Sequence, residues 1–110
     1  MKSDRLSEHC VAAADFLSAM ANAKRIQILQ NLVEREFSVN ELANCVGLSQ
    51  SALSQHLSKL RGNHLVDSRR QAQTIYYSSS DPSVKMLLAA LDQIYPNPES
   101  GSRTTEGKLP

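Results

Sequence analysis

The chain has 110 residues and a formal net charge of +1, and its length predicts one small domain. It has two cysteines, Cys10 and Cys45, which need not be bridged. No apolar run approaches the roughly 20 residues that span a bilayer, and the N-terminus "MKSDRLSEHC" lacks the apolar region of a signal peptide. These features exclude an integral membrane protein and predict a cytoplasmic location.

Positive charge is concentrated in one part of the chain. Residues 50–80 contain Lys59, Arg61, Arg69 and Arg70 against the single acid Asp67. A local cationic excess of this kind suits a polyanionic partner.

Two amphipathic helices are predicted in the first third of the chain. Apolar residues recur at three- and four-residue steps over about 5–20. The pattern restarts after Asn22, a good N-cap, and continues to a point before Phe37.

A helix, a glycine turn and a second helix follow. The sequence "SVNE" (38–41) is a capping box that opens a third helix, and Gly47 supplies the left-handed residue that ends it. Ser49 caps a fourth helix, on which three leucines share one face: Leu53, Leu57 and Leu60.

After Gly62 the apolar period changes from 3.6 to 2. This change predicts two antiparallel strands, about 65–70 and 73–78, joined at Gln71-Ala72. Asp81 caps a last helix with Pro82 at its first position, and Pro96 ends it.

The order of these elements predicts a mainly α fold with a small β-hairpin, a winged helix-turn-helix of five helices and a two-stranded wing. We expect a flexible N-terminus over 1–5, the winged helix-turn-helix domain over 6–95, and a disordered tail over 96–110.

The fourth helix has the composition expected of a helix that reads DNA. With its leucines in the core, small or uncharged polar residues face outward, and residues 49–60 contain no acid. Glutamine can bond an adenine edge with two hydrogen bonds, and the basic residues can hold phosphates. The candidate recognition residues are Gln50, Ser51, Ser54, Gln55, His56 and Lys59. For His56 both a structural hydrogen bond and a phosphate contact remain open.

The predicted wing repeats this logic. Two arginines lie just before its tip, where a wing reaches the DNA backbone or minor groove. The candidate wing and backbone contacts are Arg61, Arg69, Arg70, Gln71 and Gln73. Tyr76 and Tyr77 alternate faces, so one is expected in the core and the other more exposed.

The first and last helices are more apolar than one small core requires. We therefore expect them to pair across a two-fold axis in a homodimer that reads an inverted repeat. The candidate interface residues are Leu6, Cys10, Leu17, Val84, Leu87, Leu88, Leu91, Ile94 and Tyr95.

Three separated segments, "FLSAMANAKRIQIL" (16–29), "VNELANCVGLSQSALSQHLSKLR" (39–61) and "RRQAQTIYYSSS" (69–80), resemble the ArsR/SmtB family of bacterial repressors. The resemblance implies a homodimer that binds palindromic promoter DNA and blocks transcription. The recognition role that it implies falls on Gln50, Ser51, Ser54, Gln55 and Lys59 of the fourth helix. The wing role falls on Arg69, Arg70, Gln71 and Gln73.

The chain departs from the metal-sensing members of that family. Ser38 and Val39 stand where those members commonly carry a cysteine motif, and the last helix offers only Asp81 and Asp92 as carboxylates, with no histidine. A tetrahedral zinc site cannot be assembled from this set, so we expect neither a metal nor another cofactor.

Three alternatives remain. Cys10 and Cys45 could make the regulator responsive to oxidants or thiols, or the winged helix could bind a partner protein instead of DNA. An enzyme is the least supported, because the chain has no Gly-rich phosphate loop, no HExxH motif, and no nucleophile with an evident base.

Overall fold

The computed structural model describes residues 2–96 and residue 98. Within them lie five helices and three strands, which confirms the predicted fold class and adds one short strand to it. The elements in chain order are α1 Lys2–Met20, α2 Ala23–Leu32, β1 Phe37–Ser38, α3 Val39–Val46, α4 Gln50–Gly62, β2 Asp67–Gln71, β3 Thr74–Ser78 and α5 Pro82–Ile94. No helix in the described part of the chain is long and apolar enough to cross a membrane.

Polar side chains cap the helices where the sequence predicts them. Asn22 accepts from the Lys24 and Arg25 amides, and Ser49 accepts from the Ala52 amide. The capping box at the start of α3 is complete, and Asp81 caps α5 with Pro82 at its first position. The starts of four helices are thus encoded locally.

The N-terminal end of the chain differs from the prediction. The helix α1 begins at Lys2. Residues 2–5 are therefore helical, whereas the sequence predicts a flexible segment over 1–5. Asp4 lies in the first turn of α1, where a negative charge favours helix formation. Apart from Pro96 and Pro98, the predicted disordered tail lies outside the described residues.

The sheet is antiparallel, in the order β1-β3-β2. The hairpin pairs Gln71 with Thr74, so its two-residue turn is Ala72-Gln73 and the prediction of Gln71-Ala72 is wrong by one residue. Leu65 and Val66 precede β2 and are buried. The strand therefore begins two residues later than predicted, because this apolar pair packs in the core and does not belong to β2.

One core lies between α2, α3, α4 and the start of α5. Its fully buried large side chains are Ile28, Leu29, Leu32, Leu42, Val46, Leu53, Leu57, Leu60 and Val84. The buried Ser79 ties the end of the hairpin to this core, because its amide donates to the Leu32 carbonyl and its hydroxyl to the Leu65 carbonyl, at 3.0 and 2.7 Å.

The first and last helices are only partly used by this core. Over residues 4–20 of α1, only Ala19 and Met20 are buried. In α5 Val84 is fully buried and Leu88 is 8% exposed, so these two predicted interface residues belong to the core of the single chain. The apolar stripe of α5 is wide, so the sequence pattern does not indicate which part of it packs in the core of the same chain.

Candidate nucleic-acid interface

The turn between α3 and α4 is fixed by backbone conformation and by one lysine. Gly47 has φ 69° and ψ 42°, a left-handed conformation that favours glycine. A Cβ atom there would meet only the Lys24 Nζ, at 3.9 Å, so the conformation, and not the available space, requires glycine. Lys24 Nζ donates to the Val46 carbonyl at 2.5 Å and thereby satisfies the end of α3.

The helix α4 has two chemically distinct faces. Leu53, Leu57 and Leu60 are at most 2% exposed. The polar side chains on the other face are exposed, namely Gln50, Ser51, Ser54, Gln55, Ser58 and Lys59. The structure therefore brings five of the six candidate recognition residues to one accessible surface, while the sixth, His56, is half-buried.

Asn40, which the sequence did not single out, contacts the first residue of α4. Its Oδ1 accepts a hydrogen bond from Gln50 Nε2. The two amides line a cleft of about 200 Å³ between the start of α3, the first residue of α4 and the wing, together with Ser38, Val39, Gln73, Thr74 and Ile75. Gln50 and Gln73, predicted as recognition and wing residues, thus line the same cleft.

His56 is held at the edge of the recognition surface by Arg25. The Arg25 Nη1 lies 3.4 Å from His56 Nδ1, and the same guanidinium donates to the Ala19 and Ser18 carbonyls at 2.6 and 3.2 Å. Burial first, and then the positive charge of Arg25, lower the pKa of His56. His56 is therefore biased toward the neutral form, with a structural partner inside the chain.

The two wing arginines have different surroundings. Arg69 forms a two-point ion pair with Glu36, with Nε–Oε2 and Nη2–Oε1 distances of 2.7 and 2.8 Å. This hydrogen bonding lowers the pKa of Glu36 and raises that of Arg69. Arg70 is exposed, and no ion pair involves it within the described residues.

The remaining predicted contacts of the wing are exposed as well. Arg61 lies in the last turn of α4, and Gln71 accepts from Arg69 Nη1 at 3.0 Å. Tyr77 is 8% exposed, and Tyr76 is only half-buried. This confirms the prediction that one tyrosine packs in the core and its neighbour faces outward.

The two cysteines are free and exposed, Cys10 on α1 and Cys45 on α3. Within the described residues, no three or more His, Cys, Asp or Glu side chains are grouped so that they could hold a metal ion.

A glycine turn that joins two helices, an exposed polar second helix and an adjacent hairpin define a winged helix-turn-helix DNA-binding protein. Residues 22–68 match the model of the bacterial regulatory protein arsR family. The nodulation protein NolR of Rhizobium meliloti is 62% identical over 88 residues, which cover 80% of this chain and 72% of NolR. The chain belongs to the ArsR family and is a DNA-binding transcriptional regulator, not an enzyme.

Other relatives agree with this assignment. The transcriptional activator HlyU of Vibrio cholerae is 43% identical over 95 residues, 86% of this chain and 88% of HlyU. The crystal structure of NolR from Sinorhizobium fredii superposes with a TM-score of 0.80 at 63% identity, covering 83% of this chain and 91% of that one. The family predicted from the three sequence motifs is thereby confirmed.

Proposed function

We propose that this regulator is a homodimeric repressor that reads an inverted-repeat operator without a metal effector. The observation that carries the proposal is the outer face of α4, which is exposed, polar and free of acids over residues 49–60, and which is backed by fully buried leucines. A helix with such a face can lie in the major groove, because neither bulk nor negative charge keeps it from the base edges.

Different side chains on this surface would have different tasks. The amides of Gln50 and Gln55 can donate to and accept from an adenine edge, which discriminates between bases. Ser51 and Ser54 are short, so the helix backbone can come close to the DNA. The cations Lys59 and Arg61 suit phosphates, which fix the position of the protein but carry no sequence information.

A homodimer is supported by apolar side chains that the single chain leaves exposed. Leu6 and Leu17 on α1 are 63% and 51% exposed, and Ile94 and Tyr95 at the end of α5 are 63% and 73% exposed. Cys10 is exposed on α1, and Leu87 and Leu91 are half-buried on α5. Val84 and Leu88 belong to the core, so the proposed interface consists of the other seven predicted residues: Leu6, Cys10, Leu17, Leu87, Leu91, Ile94 and Tyr95. In a two-fold symmetric dimer each protomer would bury this set against its partner.

Such a dimer would present two copies of α4 to half-sites about one DNA turn, or roughly 34 Å, apart. Repression needs no surface beyond those already described, since a dimer that covers a promoter excludes the polymerase from it. HlyU of Vibrio cholerae is a transcriptional activator, so the test of repression distinguishes a fall in transcript from a rise. Its place of action would be the nucleoid in the cytoplasm.

Base reading is tested with Gln55→Ala on duplexes selected by the protein from a random pool. We expect the variant to lose about 1–3 kcal/mol of binding free energy on the selected site and little on a scrambled one. Gln27→Ala, at an exposed glutamine of α2, is the matched control and should bind like the parent. If the parent binds selected and scrambled duplexes equally well, sequence-specific reading is refuted.

The sign of regulation is tested by transcription in vitro from a promoter that contains the selected site. We expect transcript levels to fall as the protein is added. A rise in transcript would overturn repression while leaving operator recognition intact.

A further inference from the structure

We propose that the two wing arginines divide the work: Arg70 contacts a backbone phosphate of the duplex, and Arg69 is a positioning residue that fixes the hairpin through Glu36. This inference rests on the proposed function, because it assigns roles within the same DNA-binding surface.

Arg69 is already engaged within the chain at three of its nitrogens. Nε and Nη2 donate to the two oxygens of Glu36, and Nη1 donates to Gln71 Oε1. Its guanidinium carbon also lies 4.7 Å from the centre of the Tyr76 ring, a distance that suits a cation–π contact. To hold a phosphate, Arg69 would have to give up a planar, two-point pair with a carboxylate.

The Glu36–Arg69 pair spans the sheet from one outer strand to the other. Glu36 directly precedes β1, Arg69 belongs to β2, and β3 lies between those strands. Phe37 pairs with Tyr77 of β3 and is 5% exposed, so Glu36 stands next to a residue anchored in the core. The ion pair therefore ties the free outer strand of the wing to the body of the domain.

Arg70 lies on the other face of the hairpin. Arg69 is paired with Tyr76 and Arg70 with Ile75, and successive side chains on a strand point to opposite faces. Ile75 lines the cleft that also contains Gln50 of α4. Arg70 thus shares the face of the hairpin that carries Ile75 and the buried Tyr77, which is 8% exposed and turned toward the body of the domain. Arg70 itself is exposed and forms no ion pair within the described residues.

A duplex whose major groove receives α4 has its sugar–phosphate backbone between that helix and the wing. An uncompensated arginine on this side of the hairpin meets the backbone, whereas a neutralised one on the far side does not. The two residues are adjacent in sequence and equal in charge, so composition alone does not separate them.

The test compares Arg70→Gln with Arg69→Gln in the 110-residue chain, because both variants remove one positive charge and keep a polar side chain. Affinity for a selected duplex is measured over a series of salt concentrations. Each phosphate contact contributes about 0.9 to the slope of log K against log salt. For Arg70→Gln in both protomers of a dimer, we expect a slope shallower by about 1.8.

For Arg69→Gln we expect an unchanged slope with weaker binding to all duplexes, because the wing is less well fixed. Amide hydrogen exchange in β2 and β3 gives an independent readout, since it reports local opening of the hairpin. It should be faster in Arg69→Gln and in Glu36→Gln, and unchanged in Arg70→Gln. The double variant Glu36→Gln/Arg69→Gln should exchange no faster than either single variant, because each single substitution already removes the same ion pair.

Two results would overturn the proposal: a slope lowered by Arg69→Gln as much as by Arg70→Gln, or a slope that Arg70→Gln does not change. If Arg69→Gln does not fold, Arg69→Lys replaces it, since lysine keeps the charge for a phosphate but not the two-point pair. Fast hairpin exchange in Arg69→Lys supports the positioning role, and parent-like exchange refutes it. Failure of the proposed function is seen separately, as equal binding of the parent to selected and scrambled duplexes.

Discussion

At the scale of single residues, Arg25 joins the first helix to the recognition helix. Its guanidinium donates to the Ser18 and Ala19 carbonyls at the end of α1 and lies 3.4 Å from His56 Nδ1 on α4. A cation at a helix C-terminus is favourable, because it compensates the carbonyl groups that have no partner in the helix. Arg25 therefore links the proposed dimerisation helix to the helix that would read DNA.

This contact predicts a pH dependence of folding. Burial and the charge of Arg25 lower the pKa of His56 in the folded chain below the ordinary value of 6.5. The unfolded chain therefore takes up the proton first as the pH falls, and the folded state is disfavoured. The stabilising contribution of His56 is fully present above pH 6.5 and is lost as the pH falls through the lowered pKa of the folded state.

The check is chemical denaturation of the parent and of His56→Gln between pH 8 and pH 5, at one fixed protein concentration. The difference in unfolding free energy between the two proteins should change below about pH 6.5 in the direction that disfavours the parent. Parallel curves over the whole range would show that His56 is not responsible.

Contacts of this kind are beyond the reach of sequence patterns. Arg25 and His56 are 31 residues apart in the chain, and Arg69 and Glu36 are 33 apart. Periodicity indicated that α4 has one buried and one exposed face, because both follow from 3.6 residues per turn. It could not indicate which distant side chain lies beside His56 or Arg69, since that depends on how the elements pack.

At the scale of elements, the capping box of α3 should matter for stability. The Glu41 amide donates to Ser38 Oγ at 3.2 Å, and the Ser38 amide donates to Glu41 Oε1 at 3.0 Å. The hydrogen bond from Ser38 is also the main cause of the lowered pKa of Glu41. A helix of eight residues depends strongly on such end contacts, since it makes few internal hydrogen bonds.

We expect Ser38→Ala to lower the free energy of unfolding by about 1 kcal/mol, because the Glu41 amide loses its partner. Urea denaturation followed by circular dichroism measures this. Ser58→Ala, at an exposed position within α4, is the control and should change stability by less than about 0.5 kcal/mol. Equal effects of the two substitutions would contradict a specific role of the cap.

The starts of α2, α3, α4 and α5 were predictable to the residue because their capping side chains are themselves in the sequence. The bounds of the strands were less predictable. The hairpin turn has no glycine or asparagine, and Ala72 adopts φ 58°, a conformation that alanine seldom takes. The strand β1 has two residues, too few to show an alternating pattern, and it exists only because β3 lies beside it.

At the scale of the whole molecule, the exposed apolar residues of α1 and α5 predict the oligomeric state. Leu17→Glu places a charge at a side chain that the single chain leaves 51% exposed. The folded protomer should tolerate it, whereas a buried interface should not. We expect a monomer by light scattering at micromolar concentration. Its affinity for a palindromic duplex should be much lower, because the two recognition helices are no longer linked when they bind the two half-sites.

Val11→Glu is the matched control. Val11 is 57% exposed, but it lies about 140° around α1 from Leu6, at about 100° per residue. This variant should remain dimeric and bind DNA like the parent. A dimeric Leu17→Glu protein would show that the interface lies elsewhere.

The overall architecture was predictable because its parts are ordered along the chain as helix, turn, helix and hairpin. The division of α5 between core and surface was not. Its wide apolar stripe predicts Val84 and Leu88 at the interface, whereas both are buried in the protomer. Hydrophobic spacing identifies a buried face but does not say whether the same chain or a second copy covers it.

The caps of four helices also bear on the order of events after synthesis. Asn22, Ser38, Ser49 and Asp81 each bond to amides at most three residues away, and short-range ordering of this kind takes on the order of a microsecond or less. Meeting a second copy is slower and depends on concentration. In a freshly made chain these caps would therefore form well before two copies meet. If the regulator acts as the proposed dimer, its expression level would set the delay before promoters respond.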